Sequence, residues 1–204
     1  MMRKINEIFY SLQGEGYHAG TPAVFVRFSG CNLKCPFCDT EHAGGVLMSD
    51  AEIVAYVATY DCEWLILTGG EPSLWIDDDF IHTLHVGTGM KIAIETNGTH
   101  PVPSDIDWVT LSPKGGLCDE ASQATAANLR LQRADEIKVV DKGQELEPYF
   151  HLRQAGSNTR FYLQPCWVSD PAEALANQER TVRRVMADPR WCLSLQLHRL
   201  LDIR

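Results

Sequence analysis

Short runs of apolar, β-favouring residues recur along the chain at 23–28, 64–67, 92–94, 108–111, 136–140 and 161–163, with polar or helix-patterned stretches between them. Runs of this kind predict parallel strands buried on both faces. Between the first two, Ser49, Asp50, Ala51 and Glu52 have capping-box spacing and open an apolar-periodic helix that should run to about Tyr60. Further helices are expected over 74–86, 145–154 and 171–186, the last with Pro171 in its first turn and Asp170 as its cap. Asn97 to Asp105 is only nine residues and contains Pro101 and Pro103. A parallel crossover generally needs about a dozen residues or more, so the helix expected there is missing. The pattern describes an α/β fold: a reduced, partly open six-stranded parallel (β/α) barrel whose chemistry gathers at the carboxyl ends of its strands.

The motifs obey that rule. Cys31 to Cys38 follows the first predicted strand, and Thr68-Gly69-Gly70-Glu71-Pro72 follows the second. Glu95-Thr96-Asn97-Gly98, Ser112-Pro113-Lys114 and Gln164-Pro165 follow the third, fourth and sixth. Five loops therefore converge on one mouth.

No linker, repeat or low-complexity tract divides the 204 residues, so one domain over 1–204 is expected. The first ten residues lack the apolar region of an export signal, and no apolar stretch approaches the roughly 20 residues that span a bilayer. A soluble, cytoplasmic protein is expected, without membrane contact. Seven cysteines in that setting read as thiols kept free for metal rather than as a disulfide framework. The net charge of −9, without Lys or Arg runs, argues against direct nucleic-acid binding.

Cys31, Cys35 and Cys38 lie within eight residues, a spacing that lets one loop wrap an iron-sulfur cube. Electron carriers usually cap every iron with Cys, whereas three ligands leave one iron open for chemistry. Zinc with a remote His or Cys as fourth ligand is the alternative. Cys62, Cys118, Cys166 and Cys192 stand singly and read as small packing residues. Gly69 and Gly70 remove side chains where backbone could approach a ligand; an ordinary glycine turn is the other reading.

The Cys-x-x-x-Cys-x-x-Cys loop, with Phe37 before its last cysteine, resembles the signature of the radical S-adenosylmethionine (SAM) superfamily. A narrower set is similar to the 7-carboxy-7-deazaguanine synthase family over nearly the whole chain. It comprises the block from Ile8 to Gly16, Arg27, Gly30 to Asn32, Cys38 to Thr40, Glu95 to Gly98, Ser112 to Lys114, Glu136 to Lys138, and Gln196 to Ile203, in that order.

That resemblance implies a 4Fe-4S cluster on Cys31, Cys35 and Cys38, with SAM chelating the open iron. SAM contacts carry over to Phe37, Cys38, Asp39, Gly70, Ser112, Pro113, Lys114 and Gln164. The substrate side carries over to Leu12, Gln13, Gly14, Glu15, Arg27, Thr68, Glu95, His198 and Arg204, with backbone groups of Leu12, Gln13 and Gly14 offering a hydrogen-bonding edge. The implied reaction converts 6-carboxy-5,6,7,8-tetrahydropterin to 7-carboxy-7-deazaguanine with loss of ammonia, with no catalytic side chain beyond cluster and cofactor. Arg27 is then the candidate carboxylate clamp. Glu95 would accept from pterin N-H groups, or else be a helix cap or surface carboxylate. Thr40, with the substrate carboxylate, would hold Mg2+, or else cap its loop. A flavodoxin- or ferredoxin-type reductant and a homodimer are further implied. The tail departs from the family pattern, with Leu197, Arg199 and Arg204 where Thr, Lys and a terminal Pro are expected. Two other readings stand beside this one: a radical SAM activase that puts a glycyl radical on a partner protein, and a non-catalytic zinc or iron-sulfur module.

Overall fold

A computed structural model describes residues 1–115, 130–131, 133–154 and 156–204. All six predicted strands are present and lie side by side in parallel: β2 (Pro22–Phe28), β4 (Trp64–Gly69), β5 (Lys91–Thr96), β6 (Trp108–Leu111), β7 (Glu136–Asp141) and β8 (Arg160–Pro165). Three more strands extend the predicted six. β1 (Met2–Leu12) pairs antiparallel with β2 and with β3 (Val46–Ser49), and the two-residue β9 (Cys192–Leu193) adds parallel to β8. The result is one open sheet in the order β3-β1-β2-β4-β5-β6-β7-β8-β9.

The helices show how local chemistry sets boundaries. α1 (Asp50–Val57) starts on the predicted capping box, with Ser49 and Glu52 bonding reciprocally, but ends three residues early where Thr59 Oγ1 turns back onto the Tyr56 carbonyl. The helix expected from Leu74 is split. Glu71 caps a short 3-10 turn, Pro72–Leu74, and α2 (Asp78–Thr88) begins only after Asp77, whose side chain accepts from Phe80 N. Asp77 also meets the buried Arg3 guanidinium at 3.3 Å, so it is more than a solvated helix start. The 145–154 segment forms a 3-10 helix, Glu147–Leu152, with Pro148 in its first turn, rather than a full α-helix. α3 (Pro171–Ala187) matches its prediction, including the Asp170 cap, and the absent helix between β5 and β6 is absent. A last short helix, α4 (Leu197–Leu201), was not anticipated. Among the described residues, no helix is long and apolar enough to cross a membrane.

Strand alternation then sorts the side chains. Val24, Val26, Phe28, Leu65, Leu67, Ile92 and Ile94 point to one face, where they pack with Ile53, Val57, Phe80, Ile81 and Leu84 of α1 and α2. Ile137, Val139, Phe161 and Leu163 continue that face in a second cluster around Trp191. On the inner face, Phe9, Ala23, Phe25, Ile66 and Ala93 form a smaller apolar floor. Two residues further along each strand the same face turns polar, with Arg27, Thr68 and Glu95, and Lys138 and Gln164 share it from β7 and β8.

Candidate active site

These inward polar residues open onto a cavity of about 540 Å³ at the carboxyl ends of the strands. Cys31, Cys35, Phe37, Cys38, Asp39 and Thr40 line it from the cysteine loop, Leu12 from the end of β1, and Gln13, Gly14 and Glu15 from the loop that follows. Arg27, Thr68, Gly70, Glu95, Ser112, Lys114 and Gln164 come from the strand ends, and His198 and Arg204 from the tail. Of the predicted site residues, only Pro113 is off the wall; it is buried. A proline between Ser112 and Lys114 shapes the loop without presenting a polar group to the cavity.

The cysteine loop is fastened at its root by main chain. Glu71 N donates to Gly30 O at 2.9 Å, Gly70 N to Phe28 O at 3.1 Å, and Gly30 N to His42 O at 2.9 Å. Gly70 lies so close that a Cβ there would sit 2.0 Å from Gly30 O, so only glycine fits. The Glu71 carboxylate is buried and fully engaged, accepting from Ser73 N at 3.1 Å, Ser73 Oγ at 2.6 Å, Thr96 Oγ1 at 2.6 Å and Asn97 N at 2.7 Å. Asn97 Nδ2 then reaches Asn32 Oδ1 at 3.0 Å, and Asn32 Nδ2 reaches Thr99 Oγ1 at 2.8 Å. Three motif loops thus form one hydrogen-bonded unit.

The sulfurs themselves are less gathered than their roots, and Cys35 departs from the expectation of free thiols because it is disulfide-bonded here. Among the described residues, no three His, Cys, Asp or Glu side chains converge on a point a metal could occupy. Burial pushes the Cys31 thiol up from its ordinary pKa. The donor chemistry nevertheless fits an iron-sulfur cluster once the Cys35 disulfide is reduced: three cysteine sulfurs on one loop, all on the wall of one cavity, with the glycine edge of Gly70 packed against the Gly30–Cys31 backbone. Of the single cysteines, Cys62 and Cys166 are at least partly buried as expected, although Cys166 also lines the cavity. Cys192 is exposed on the edge strand β9, contrary to a packing role, and Cys118 lies outside the described residues.

The opposite wall is charged. Glu95, at the end of β5, accepts from Gln13 Nε2 at 3.1 Å, Thr68 Oγ1 at 3.0 Å and Lys138 Nζ at 3.2 Å. It is neither a helix cap nor a surface carboxylate. Burial alone would raise its pKa, but the Lys138 ammonium and these hydrogen bonds outweigh burial and hold it below the usual range. Lys138 also bonds Glu15. Burial would lower the Lys138 pKa; Glu15, Glu95 and Glu136 override it and raise it. Lys114 donates to Ser112 Oγ at 2.7 Å and is not a solvated surface cation: burial first, then repulsion from Lys138, depresses its pKa.

Several sequence expectations need correction in detail. The main chain of Gln13 is not a free edge, because its N-H bonds Thr21 O at 2.8 Å and its carbonyl accepts from Gly20 N at 2.7 Å; the Gly14 carbonyl accepts from Leu197 N at 3.0 Å. The Gln13 and Glu15 side chains join Leu12 and Gly14 on the cavity wall. Arg27 Nε is taken by Glu7 at 2.9 Å, leaving its Nη groups without a partner among the described hydrogen bonds. Gln164 Oε1 accepts from Ser194 Oγ at 2.8 Å, which itself accepts from Gly16 N at 3.0 Å, so Gln164 is held by a bond to the segment before α4.

The variant tail does reach the site. Gln196 Nε2 bridges Glu15 Oε1 at 2.9 Å and Asp39 Oδ2 at 3.0 Å, and Arg199 Nη2 meets Asp39 Oδ2 at 3.1 Å while lying 4.0 Å over the Trp167 ring. A Cβ on Gly14 would meet His198 Nδ1 at 2.6 Å, so the tail is seated directly on that loop. The Arg204 carbonyl accepts from Ser11 Oγ at 2.5 Å, and its guanidinium pairs with Glu7 at 2.9 Å. Glu71, Lys138, Gln196 and Arg199 are wall residues that sequence reading did not assign. For Glu71 the signal was present in its Gly-Gly-Glu motif, and for Lys138 in a Lys inside an apolar strand run.

Comparison with known proteins agrees with this geometry. Residues 25–116 match the radical SAM superfamily. A 7-carboxy-7-deazaguanine synthase of Bacteroides thetaiotaomicron is 55% identical over 204 residues, covering 100% of both chains. Its namesake from Bradyrhizobium diazoefficiens is 36% identical over 226 residues, again covering 100% of both. The crystal structure of QueE from Escherichia coli superposes with a TM-score of 0.78 at 27% identity, covering 96% of this chain and 94% of that one. With a three-cysteine loop rooted on Gly70 and full-length relatives of one name, this chain belongs to the 7-carboxy-7-deazaguanine synthase family of radical SAM enzymes.

Proposed function

We propose that this enzyme acts as a carbon-nitrogen lyase that converts 6-carboxy-5,6,7,8-tetrahydropterin to 7-carboxy-7-deazaguanine with loss of ammonia, in deazapurine biosynthesis leading to queuosine. One observation carries the reading: in a chain 55% identical to a full-length relative of that name, the three cysteines and Glu95 line the same cavity. Neither a glycyl-radical activase nor a bare metal module requires that pairing.

Cys31, Cys35 and Cys38 would hold the 4Fe-4S cluster, leaving one iron for SAM. Once bound, the two supply the one-electron chemistry that removes the hydrogen at pterin C6, a hydrogen that acid-base groups do not reach. The chain's own residues bind and orient. Phe37, Asp39, Gly70, Ser112, Lys114 and Gln164, all on the cavity wall, would grip SAM. Glu95 and the Gln13 amide match the N-H-rich edge of the pterin, and the open Nη groups of Arg27 suit its carboxylate. Thr40 Oγ1 and that carboxylate are hard oxygen ligands of the kind Mg2+ takes, with water filling the remaining positions. The α4 tail, clamped to Asp39 and Glu15, helps to keep water from the reacting ring. The reductant would be a flavodoxin or ferredoxin type, the assembly a homodimer and the location cytoplasmic.

The test is turnover by anaerobically reconstituted protein with SAM, Mg2+, a strong reductant and the carboxytetrahydropterin, read by mass spectrometry. The deazaguanine acid is the expected product. Formation of 5'-deoxyadenosine without it would keep the radical chemistry and overturn the substrate. Chelating Mg2+ should slow turnover; an unchanged rate would remove Thr40 from that role.

A further inference from the structure

Lys138 is a buried charge that the steps above leave without a task. Alternation along β7 turns it inward, where it is 5% exposed and its Nζ bridges Glu15 and Glu95, residues 123 and 43 positions away in the chain. Its main chain is also fixed, because its carbonyl accepts from Ser112 Oγ at 3.1 Å. The other carboxylate oxygens are tied from other elements, Glu95 Oε2 by Thr68 at 3.0 Å and Glu15 Oε1 by Gln196 at 2.9 Å, while Gln13 Nε2 shares Glu95 Oε1 with the Lys138 ammonium. Both residues line the cavity, and among the described residues only Lys138 bonds both carboxylates, although Gln13 also links the Glu15 N-H to Glu95.

We infer that Lys138 is a positioning residue whose ammonium locks Glu15 and Glu95 side by side as acceptors, so that the cavity selects a heterocycle presenting adjacent N-H donors. The inference rests on the pterin reading given under Proposed function. Two carboxylates brought together discourage each other's ionisation, and a protonated one becomes a donor that matches the wrong ligand edge. One shared cation removes that conflict. The same arrangement works against ring edges that offer acceptors, which would face unpaired carboxylate oxygens. Other charged groups around the pair are Glu136 on β7, Arg27 on β2, Lys114 after β6, and Asp39 and Glu71 from the flanking loops.

The experiment compares wild type with Lys138→Met and Lys138→Arg, each reconstituted with cluster. For Lys138→Met the KM for carboxytetrahydropterin should rise roughly tenfold or more, with a smaller change in kcat. Its acid limb in kcat/KM should move to higher pH, because Glu95 has lost the cation that holds its pKa down. Lys138→Arg, which retains a cation, should return the acid limb toward the wild-type position. An unchanged KM and acid limb in Lys138→Met would overturn the inference. Should that variant not fold, carbon NMR titration of labelled wild type decides: a Glu95 midpoint below the ordinary glutamate range supports the lock, and one at or above it refutes the lock. Wild type that binds no carboxytetrahydropterin would fail the substrate reading alone, since the Glu95 titration needs no substrate.

Discussion

Around the cysteine loop the cavity wall is held by main chain and by one saturated acceptor; across the mouth, from Glu15 to Arg199, it is held by pairs of opposite charge. On the first side, Gly70 lies too close to Gly30 O to carry a side chain, and the Glu71 carboxylate gathers four donors from two segments, Ser73 and Thr96–Asn97. On the second, Lys138 bridges two carboxylates and Arg199 with Gln196 clamps Asp39. The difference fits the two tasks. A cluster needs a loop root that does not move, and short directional bonds with no spare room supply that. A polar substrate needs oriented charge, and a buried ion pair fixes orientation while each carboxylate keeps lone-pair capacity for a further donor.

The comparison breaks most readily at Gly70. Gly70→Ala forces a Cβ to within 2.0 Å of Gly30 O, so the cysteine loop has to shift. A displacement near 1 Å costs about a hundredfold in rate, and iron and sulfide content should fall with it. Full cluster loading in that variant would show that the loop root is not what holds the thiols. Glu71→Ala comes next. It strands four buried donors and should lower stability by roughly 3 kcal/mol or more, seen as a fall in Tm of about 6 °C or more on thermal melting.

Arg199→Ala probes the charged side. Loss of the Asp39 pair and of the Trp167 stack should cost about 1 kcal/mol, read as a roughly fivefold rise in KM with little change in Tm. An equal loss of Tm and KM would mean that the tail is structural rather than a closure over substrate. The smallest effect is a control away from both walls. Ser49→Ala removes the α1 cap and should cost about 1 kcal/mol of stability while leaving KM unchanged.

Much of the first side was legible in the sequence, because short motifs encode it. Glycines, the Gly-Gly-Glu run and Glu95 to Gly98 each follow an apolar strand run, and strand ends in a parallel sheet necessarily share one edge. The second side was legible only in part. Lys138 sits in a run that reads as apolar, and its partners come from β5 and from the loop after β1, a proximity that only the closed fold creates. β1 escaped for a related reason: Arg3, Lys4 and Glu7 interrupt it, yet Arg3 is buried by pairing with Asp50 and lying over Phe80. β9, two residues long, carries no periodic signal at all. Helix boundaries moved where a single residue outweighed the pattern, as Asp77 did for α2 by capping its start.

The most direct test of the central claim uses carboxytetrahydropterin carrying deuterium at C6 under single-turnover conditions. The account predicts that deuterium is recovered in the adenosyl group of SAM or in 5'-deoxyadenosine while the deazaguanine acid forms. Product formation with no deuterium in the adenosyl group would contradict it.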